Sequence, residues 1–283
     1  MKSLTDTYTL QGGVKIPIIG FGTWQVEDGR QTVDAVKEAL SVGYRHVDTA
    51  QGYGNEESVG RAVKDSGLKR EEVFITTKLV NAVRGYEKTR IAIDESLQKL
   101  GGSYIDLFLL HWPVPVDFKE NWREMNAESW RAMEEFYQAG RIRALGVSNF
   151  HGRHVDELLK TAKIKPAVNQ IRLCPGDTQD EVVAYSREKG MLLEAYSPLG
   201  VGEIFKVPQM RELAEKYGKS IAQVAIRWSL QNGFLPLPKS VTPARMRENA
   251  DVFDFELSAE DMRKISSLEG VAGWHADPDN ISW

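Results

Sequence analysis

Four side chains with complementary acid–base chemistry lie at the ends of three apolar segments. Asp48 and Tyr53 lie at or just beyond the end of the first segment, Lys78 ends the second, and His111 ends the third. Parallel α/β sheets and barrels carry their chemistry at the C-terminal ends of strands, so we expect these side chains to converge. A carboxylate, a phenol, an ammonium and an imidazole together suit proton transfer beside a developing anion. The chain is therefore predicted to be an enzyme.

Each of the four residues has a distinct role in the predicted chemistry. When a hydride reaches a carbonyl carbon, charge develops on the oxygen, and Tyr53 is the candidate acid that protonates it. The Lys78 cation favours phenolate, since unit charges about 4 Å apart interact by about 4 kcal/mol at an effective dielectric of about 20. Asp48 is expected to keep Lys78 charged, and His111 to orient the carbonyl by a hydrogen bond. Any one of them alone is more often a loop anchor or a core residue.

Length and composition are those of an ordinary globular protein. The chain has 283 residues, enough for one large barrel or two ordinary domains, and a formal net charge of −4. That charge gives no basis for binding nucleic acid or membranes, and no apolar run has signal-peptide or transmembrane length. With Cys174 as the single cysteine, an intramolecular disulfide and a cysteine-based zinc site are excluded. We expect a cytoplasmic protein.

Short β-rich segments alternate with segments whose apolar residues recur at helical spacing. A hairpin is predicted around the Gly12-Gly13 turn, and helices are indicated by stripes such as Val33/Val36/Leu40. Eight strand candidates follow the hairpin, at 18–22, 46–50, 73–78, 104–111, 142–148, 167–172, 191–197 and 234–239. Eight such units fit a (β/α)8 barrel, whose strands are buried on both faces and are therefore almost continuously apolar. A doubly wound open sheet is the alternative, but its usual nucleotide-binding signature is missing. Because no linker interrupts the alternation, we predict one domain over residues 1–283.

Three short patterns that could suggest other sites are weak. Gly20-Phe21-Gly22 lacks the third glycine of a dinucleotide-binding turn, and Gly218-Lys219-Ser220 lacks the first glycine of a phosphate loop. His151 and His154 have helical spacing but no further ligand pattern, which predicts a surface helix start and not a metal site. No catalytic metal is expected.

A set of ordered motifs resembles those of the aldo-keto reductase family. They are the segments at 43–56, 76–78, 111–113, 146–150, 237–242 and 252–257. The chain is most similar to microbial members that resemble 2,5-diketogluconate reductases. The resemblance implies a (β/α)8 TIM barrel with an N-terminal β-hairpin and an extended C-terminal loop. It also implies NADPH as the cofactor, a small carbonyl substrate and a monomer.

A phosphate site is predicted where a helix begins after the eighth strand. Thr242-Pro243 is a good N-cap and first-turn pair, so free backbone N–H groups are expected there. An ordinary capped helix beside solvated basic residues is the alternative. The resemblance implies that this segment binds the 2′-phosphate end of NADPH through Lys239, Ser240, Val241, Thr242 and Arg245.

The same resemblance implies the other cofactor contacts. The nicotinamide carboxamide is assigned to Ser148, Asn149 and Gln170, with Tyr196 stacked on the ring. The pyrophosphate region is assigned to Ser197, Leu199 and Gly200. The adenine end is assigned to Glu248 and Asn249. Thr23 is placed near the ribose, and Asp48 also belongs to the cofactor set.

The predicted substrate pocket departs from the family pattern. Its expected lining is Trp24, Tyr53, Val80, His111 and Trp112. Val80 stands where many relatives have tryptophan and is expected to widen the pocket. Arg172 and Cys174 stand where glutamate and histidine are usual, and Arg172 is exposed, paired structurally, or near an acidic substrate. The stretch 271–283 departs as well.

The sequence thus predicts an NADP-dependent oxidoreductase that reduces aldehydes or ketones to alcohols by hydride transfer, with Tyr53 as general acid. One alternative is a sensor or adaptor that binds the nicotinamide cofactor with little turnover. Another is a phosphosugar isomerase on the same barrel, which would leave the pairing of Tyr53 and Lys78 without a role.

Overall fold

An antiparallel hairpin precedes the main body of the protein. The computed structural model describes residues 3–282, so the remaining residues of the predicted 1–283 domain lie outside the described range. Strands β1 (Thr7–Thr9) and β2 (Lys15–Pro17) pair with Tyr8 opposite Ile16. The predicted hairpin is confirmed, whereas the single-domain assignment stays a prediction.

Within residues 3–282, eight parallel strands follow the hairpin. They are β3 (Phe21–Gly22), β4 (His46–Asp48), β5 (Phe74–Leu79), β6 (Ile105–Leu110), β7 (Ile142–Ser148), β8 (Val168–Arg172), β9 (Leu192–Tyr196) and β10 (Leu235–Leu237). Each strand from β3 to β10 pairs with the next one along the chain. The N–H groups of Gly20 and Gly22 donate to the carbonyls of Pro236 and Pro238 at 3.0 and 3.1 Å, which joins the first strand to the last. The predicted barrel is confirmed.

The first barrel strand is shorter than the sequence predicts. Only Phe21–Gly22 is paired as a strand, although Ile18 and Ile19 are fully buried. A side chain at Gly20 would lie 2.6 Å from both His46 Nδ1 and Leu237 Cδ2, so the backbone lies close to the filled interior. The apolar residues at 18–22 therefore mark buried positions, of which only the last two are paired as a strand.

The strands alternate with helices, which pack on the outer face of the barrel and on one another. The ten α-helices are α1 (Arg30–Val42), α2 (Glu56–Asp65), α3 (Tyr86–Leu100), α4 (Trp122–Gln138), α5 (Gly152–Leu159), α6 (Asp180–Glu188), α7 (Pro208–Tyr217), α8 (Ile221–Gln231), α9 (Pro243–Ala250) and α10 (Ala259–Ser266) within residues 3–282. The predicted stripes bury Val36 and Leu40 in α1, and Trp130 and Trp228 pack in the core.

The segment Gly218-Lys219-Ser220 is a junction between two helices. Gly218 is the C-cap residue of α7 in the left-handed conformation, and Ser220 is the N-cap residue of α8, where its Oγ accepts the N–H of Gln223 at 3.2 Å. Leu213 lies inside α7.

Residues 267–282 form the predicted extended C-terminal loop, without a helix or strand. Ala276 and Ile281 of this loop pack against Trp112 at the end of β6. No helix in the described part of the chain has both the length and the apolar surface needed to cross a membrane.

A substitution in α2 tests how closely this helix approaches α3. A Cβ at Gly60 would lie 2.6 Å from the carbonyl oxygens of Lys99 and Leu100. We expect Gly60→Ala to lower the free energy of unfolding by about 1–3 kcal/mol. This strain outweighs the ~1 kcal/mol that alanine gains in helix propensity, because backbone atoms cannot move aside cheaply. Urea unfolding measures it, with exposed Lys64→Ala on the same helix as control; a stabilised Gly60→Ala protein would contradict the packing.

Candidate active site

Lys78 lies at the centre of a buried cluster at the C-terminal ends of β4 and β5. Its Nζ donates to the two carboxylate oxygens of Asp48 at 2.7 and 2.9 Å and to the carbonyl of Thr49 at 2.9 Å. The same Nζ lies 3.3 Å from Tyr53 Oη. Because the ammonium is fully buried, these oxygens replace the water that would otherwise solvate it. The predicted pairing of Asp48 with Lys78 is confirmed.

The local backbone explains why these side chains meet. The parallel register sets Asp48 beside Thr76, two residues before Lys78. Tyr53 ends a short 3-10 helix, Gln51–Tyr53, which follows β4. Gln51 fastens this turn, because its side chain donates to the carbonyl of Ala92 at 2.8 Å and accepts the N–H of Val80 at 2.9 Å. The phenol is therefore held by a turn tied to both α3 and the end of β5.

Burial and charge act in opposite directions on Tyr53 and Lys78. Burial lowers the pKa of Lys78, but Asp48 and Tyr53 outweigh it, so its pKa lies above the usual 10.5 and the amine is charged. Burial raises the pKa of Tyr53 above 10.0, and Lys78 opposes this rise while Asp48 adds to it. Lys78 thus acts on the phenol with the predicted sign, but it does not overcome the effect of burial. Tyr53 is a protonated acid near neutral pH.

His111 lies beside Tyr53 at the end of β6. The two rings are 5.8 Å apart and nearly perpendicular, and both side chains are half-buried. Burial, followed by the charges of Lys78 and Arg84, lowers the pKa of His111 well below 6.5. The imidazole is therefore neutral and carries one N–H, which suits a hydrogen-bond donor to a carbonyl oxygen.

Arg84 is a buried cation that sequence reasoning missed. Its guanidinium donates to the carbonyls of Trp112, Val80 and Val83 at 2.8, 3.0 and 2.7 Å, and to Asn126 Oδ1 at 3.2 Å. Burial lowers the pKa of Arg84 to about 9. A single arginine in a loop gives no sequence signal, since only the fold shows that it joins the chain after β5 to the chain after β6.

The three residues assigned to the carboxamide come together at the ends of β7 and β8. Ser148 Oγ donates to the carbonyl of Gln170 at 2.8 Å, and Asn149 Nδ2 donates to Ser148 Oγ at 3.1 Å. Tyr196 Oη donates to Asn149 Oδ1 at 2.8 Å. Gln170 Nε2 reaches across the barrel to Asp48 Oδ2 at 2.8 Å, so this polar group is continuous with the Lys78 cluster.

Two further polar residues of the barrel interior, His46 and Glu194, were also missed. Both are fully buried; His46 shares β4 with Asp48, and Glu194 lies in the largely apolar strand β9. A charged or ionisable residue in such a run is itself a signal, because these residues are rarely buried without a partner. Glu194 Oε2 accepts the second N–H of Gln170 at 2.7 Å.

The segment assigned to the phosphate begins α9 as predicted. Thr242 is the N-cap residue and Pro243 the first residue of the helix, although the Thr242 side chain makes no capping bond. Instead, Ser240 Oγ accepts the N–H of Thr242 at 3.0 Å. Lys239 and Arg245 are exposed, and neither forms an ion pair within residues 3–282. Two unpaired cations therefore flank the helix start.

The remaining cofactor candidates lie around the same end of the barrel. Thr23 ties β3 to β4, because its N–H and Oγ1 both donate to the carbonyl of Asp48, at 3.0 and 2.9 Å. A tight turn follows β9 and contains Ser197, Leu199 and Gly200. Val241 is exposed beside the helix start, and α9 carries Glu248, half-buried, and Asn249, buried.

The predicted pocket walls differ in their exposure. Trp24 is 47% exposed, and Val80 is half-buried near Gly52, where an added Cβ would lie 3.8 Å from Val80 Cγ2. Trp112 is 7% exposed and packs against the C-terminal loop. The C-terminal loop therefore covers Trp112, which was predicted to line an open pocket.

Arg172 is paired structurally, which is one of the three predicted alternatives. It is buried, its Nη1 donates to Asp177 Oδ2 at 2.5 Å, and it also donates to the carbonyl of Ala272. Asp177 Oδ2 also lies 2.8 Å from His275 Nδ1. Cys174 is buried nearby, and burial raises the pKa of its thiol to about 11, so it is not a reactive thiolate.

The prediction for His151 and His154 is right about the helix start and wrong about the surface. His151 is the N-cap residue of α5, but His154 is fully buried. Nδ1 of His154 accepts the N–H of His151 at 3.0 Å, so the proton of the neutral ring is on Nε2, which lies 2.8 Å from Asp279 Oδ1. His154 therefore anchors the C-terminal loop and is not part of a solvated turn.

Comparison with known proteins gives consistent matches along the barrel. The family model described as "Aldo/keto reductase family" matches residues 18–269. A glyoxal reductase of Bacillus subtilis (strain 168) is 46% identical over 279 residues, which are 99% of this chain and 98% of that protein. A crystal structure of an aldo/keto reductase from Brucella melitensis has a TM-score of 0.89 and 43% identity, covering 95% of this chain and 99% of the other. A crystal structure of a Gox0644 variant in complex with NADPH has a TM-score of 0.91 and 37% identity, covering 98% and 99%.

Removing the anion beside Lys78 tests the electrostatics of the cluster. Asp48→Asn leaves a buried ammonium without its carboxylate, which costs about 3–5 kcal/mol of unfolding free energy. Burial then lowers the pKa of Lys78 in the folded state below its unfolded value, so folding stability decreases as pH falls below about 10.4. The loss in Tm relative to wild type is therefore expected to be larger at pH 7 than at pH 9.5. Calorimetry at both pH values measures it; an equal loss would contradict a charged, buried Lys78.

Proposed function

Because this chain belongs to the aldo/keto reductase family, we propose that it is an NADPH-dependent enzyme that reduces small aldehydes or ketones to alcohols. One observation carries the proposal. Lys78 Nζ contacts the Asp48 carboxylate and Tyr53 Oη together, and the neutral His111 ring lies beside the phenol. An acidic phenol and a neutral imidazole therefore lie side by side at the barrel mouth, and both are half-buried.

In the proposed mechanism, NADPH supplies the hydride that reaches the carbonyl carbon. Tyr53 Oη transfers its proton to the carbonyl oxygen as negative charge grows there. Lys78 stabilises the phenolate that remains, and Asp48 keeps that ammonium charged and fixed. His111 donates an N–H to the same oxygen and orients the carbonyl. The half-buried phenolate regains its proton from solvent.

The side chains at the barrel mouth fit a dinucleotide phosphate. Ser148, Asn149 and Gln170 offer amide and hydroxyl groups next to Asp48, which suits a carboxamide. Lys239 and Arg245 offer two unpaired cations at the start of α9, where free N–H groups add to the attraction for a phosphate. The Gox0644 variant, which is similar along the whole chain, binds NADPH in its crystal structure.

We infer small, uncharged carbonyl compounds as the substrate class. The proposed walls, Trp24, Val80 and Trp112, are aromatic or aliphatic, and Arg172 is taken up by Asp177 and the C-terminal loop. The name of the Bacillus subtilis relative, glyoxal reductase, agrees with a small substrate. The closer similarity to 2,5-diketogluconate reductases, a monomeric state and a cytoplasmic location stay predictions.

Replacing the proposed acid tests the mechanism. Tyr53→Phe removes the proton donor but keeps the ring, so we expect kcat to fall about 10²–10⁴-fold. NADPH affinity, measured by fluorescence titration, is expected to stay near the wild-type value. Oxidation of NADPH with a panel of small aldehydes, followed by absorbance, gives the rate. Tyr86→Phe changes a tyrosine whose hydroxyl contacts exposed Glu135 and serves as control.

Two outcomes would contradict this mechanism. Full turnover by Tyr53→Phe would show that another group supplies the proton. A wild-type protein that binds NADPH tightly but reduces none of the carbonyls tested would favour the alternative of a cofactor-binding sensor.

Cofactor preference is tested at the start of α9. A hydrogen bond to a charged group contributes about 1.5–3 kcal/mol, so Lys239→Met and Arg245→Met should each raise KM for NADPH about tenfold or more. KM for NADH, which lacks the 2′-phosphate, should change little. Arg247→Met is the matched control, because Arg247 is an exposed arginine on the same helix that pairs with Glu38. Equal effects on NADPH and NADH would rule out a 2′-phosphate contact.

A further inference from the structure

Glu194 is linked to the proposed active site by one amide group. Gln170 Nε2 donates one N–H to Glu194 Oε2 at 2.7 Å and the other to Asp48 Oδ2 at 2.8 Å. Glu194 is fully buried on β9, and its second oxygen, Oε1, has no hydrogen-bond partner. A single amide therefore holds two carboxyl groups of the barrel interior next to each other.

The surroundings of Glu194 supply only enough positive charge for one of these carboxyls. The titratable groups that face it are His46 and Asp48 from β4 and Lys78 from β5. Lys78, the one cation among them, already contacts both oxygens of Asp48 and lies 3.3 Å from Tyr53 Oη. A second buried carboxylate would have no counter-ion, and that arrangement is strongly unfavourable.

His46 does not provide the missing charge. Burial, followed by the charge of Lys78, lowers the pKa of His46 to about 3, so the ring is neutral. Its Nε2 lies 2.9 Å from Thr76 Oγ1 and 3.9 Å from Glu194 Oε1, too far for a hydrogen bond to the carboxyl. Burial first, and then Asp48, raise the pKa of Glu194 to about 8, against the opposing effects of Gln170 and Lys78.

We propose that Glu194 is a positioning residue that keeps its proton at neutral pH, holds the Gln170 amide against Asp48, and leaves the Lys78 ammonium to Asp48 and Tyr53. When Glu194 loses that proton, a second anion opposes the field of Lys78 at the phenol. Tyr53 then becomes a weaker acid, and proton donation slows. This kinetic consequence rests on the proposed reductase function, whereas the protonation of Glu194 does not.

The isosteric variant Glu194→Gln tests the kinetic consequence. Its side-chain oxygen can still accept the N–H of Gln170, and it carries no charge at any pH. We expect a kcat similar to wild type at pH 6.5. As pH rises past about 8, the wild-type rate should fall while that of the variant does not, so the ratio of variant to wild-type kcat should grow several-fold by pH 9.5. A ratio that stays constant with pH would overturn the proposal.

A truncation separates positioning from simple packing. Glu194→Ala removes the acceptor that orients Gln170, so we expect a lower kcat and a higher KM for NADPH at every pH. Glu194→Gln should restore both values near pH 6.5. Equal impairment of the two variants at that pH would show that the carboxyl has another role.

Thermal unfolding tests the proton on Glu194 without any turnover. Because the folded pKa is raised above the unfolded value, the contribution of this carboxyl to stability is present below about pH 4.5 and is lost progressively up to about pH 8. The Tm of Glu194→Gln minus that of wild type should therefore grow between pH 5 and 8 and then level off. Glu134→Gln, a buried carboxyl on α4 that accepts the N–H groups of Lys163 and Ile164, controls for the isosteric change itself.

The kinetic measurement and the thermal measurement test different hypotheses, so one can be refuted without the other. A protein without carbonyl reductase activity would refute the proposed function and still show the pH-dependent difference in Tm. A difference in Tm that does not vary with pH, in an active enzyme, would refute the proton on Glu194 alone.

Discussion

The ion pair of Lys78 and Asp48 is the interaction on which the rest of the site depends. A fully buried ammonium is tolerated only with an anion and further acceptors, which the two carboxylate oxygens and the carbonyl of Thr49 provide. All three acceptors come from the end of β4, and Lys78 comes from the neighbouring strand. The candidate active site therefore depends on the pairing register of β4 and β5. A shift of β5 by one residue would turn Lys78 away from the barrel interior.

The same pair limits the charge of every neighbouring group. His46 and His111 are neutral, because burial and the nearby Lys78 cation both disfavour a second positive charge. Glu194 keeps a proton for the opposite reason, since burial and Asp48 disfavour a second negative charge. A site with one buried ion pair among neutral polar groups changes little in solvation when charge develops on a substrate oxygen, which is the condition for electrostatic stabilisation.

The features predicted from the sequence are those that depend on local order along the chain. The alternation of strand and helix segments predicted the barrel. The positions of Lys78 and Asp48 at strand ends predicted their contact, because the C-terminal ends of parallel strands lie at the same edge of the sheet. The length of β3, the burial of Arg84 and the partner of Glu194 were not predicted. Each depends on contacts between residues far apart in the chain, such as Arg84 with Trp112 or Glu194 with Gln170, which no local pattern records.

The departures from the family pattern lie in the parts that cover the barrel mouth. Arg172 at the end of β8 and Asp177 after it hold the C-terminal loop through the carbonyl of Ala272 and the ring of His275. His154 near the start of α5 holds Asp279 of the same loop. The loop in turn packs on Trp112. None of these contacts involves Lys78, Asp48 or Tyr53. In the proposed reductase, changes in the loop and its anchors would alter substrate choice without altering the interior charges assigned to proton transfer, because these lie on separate residues.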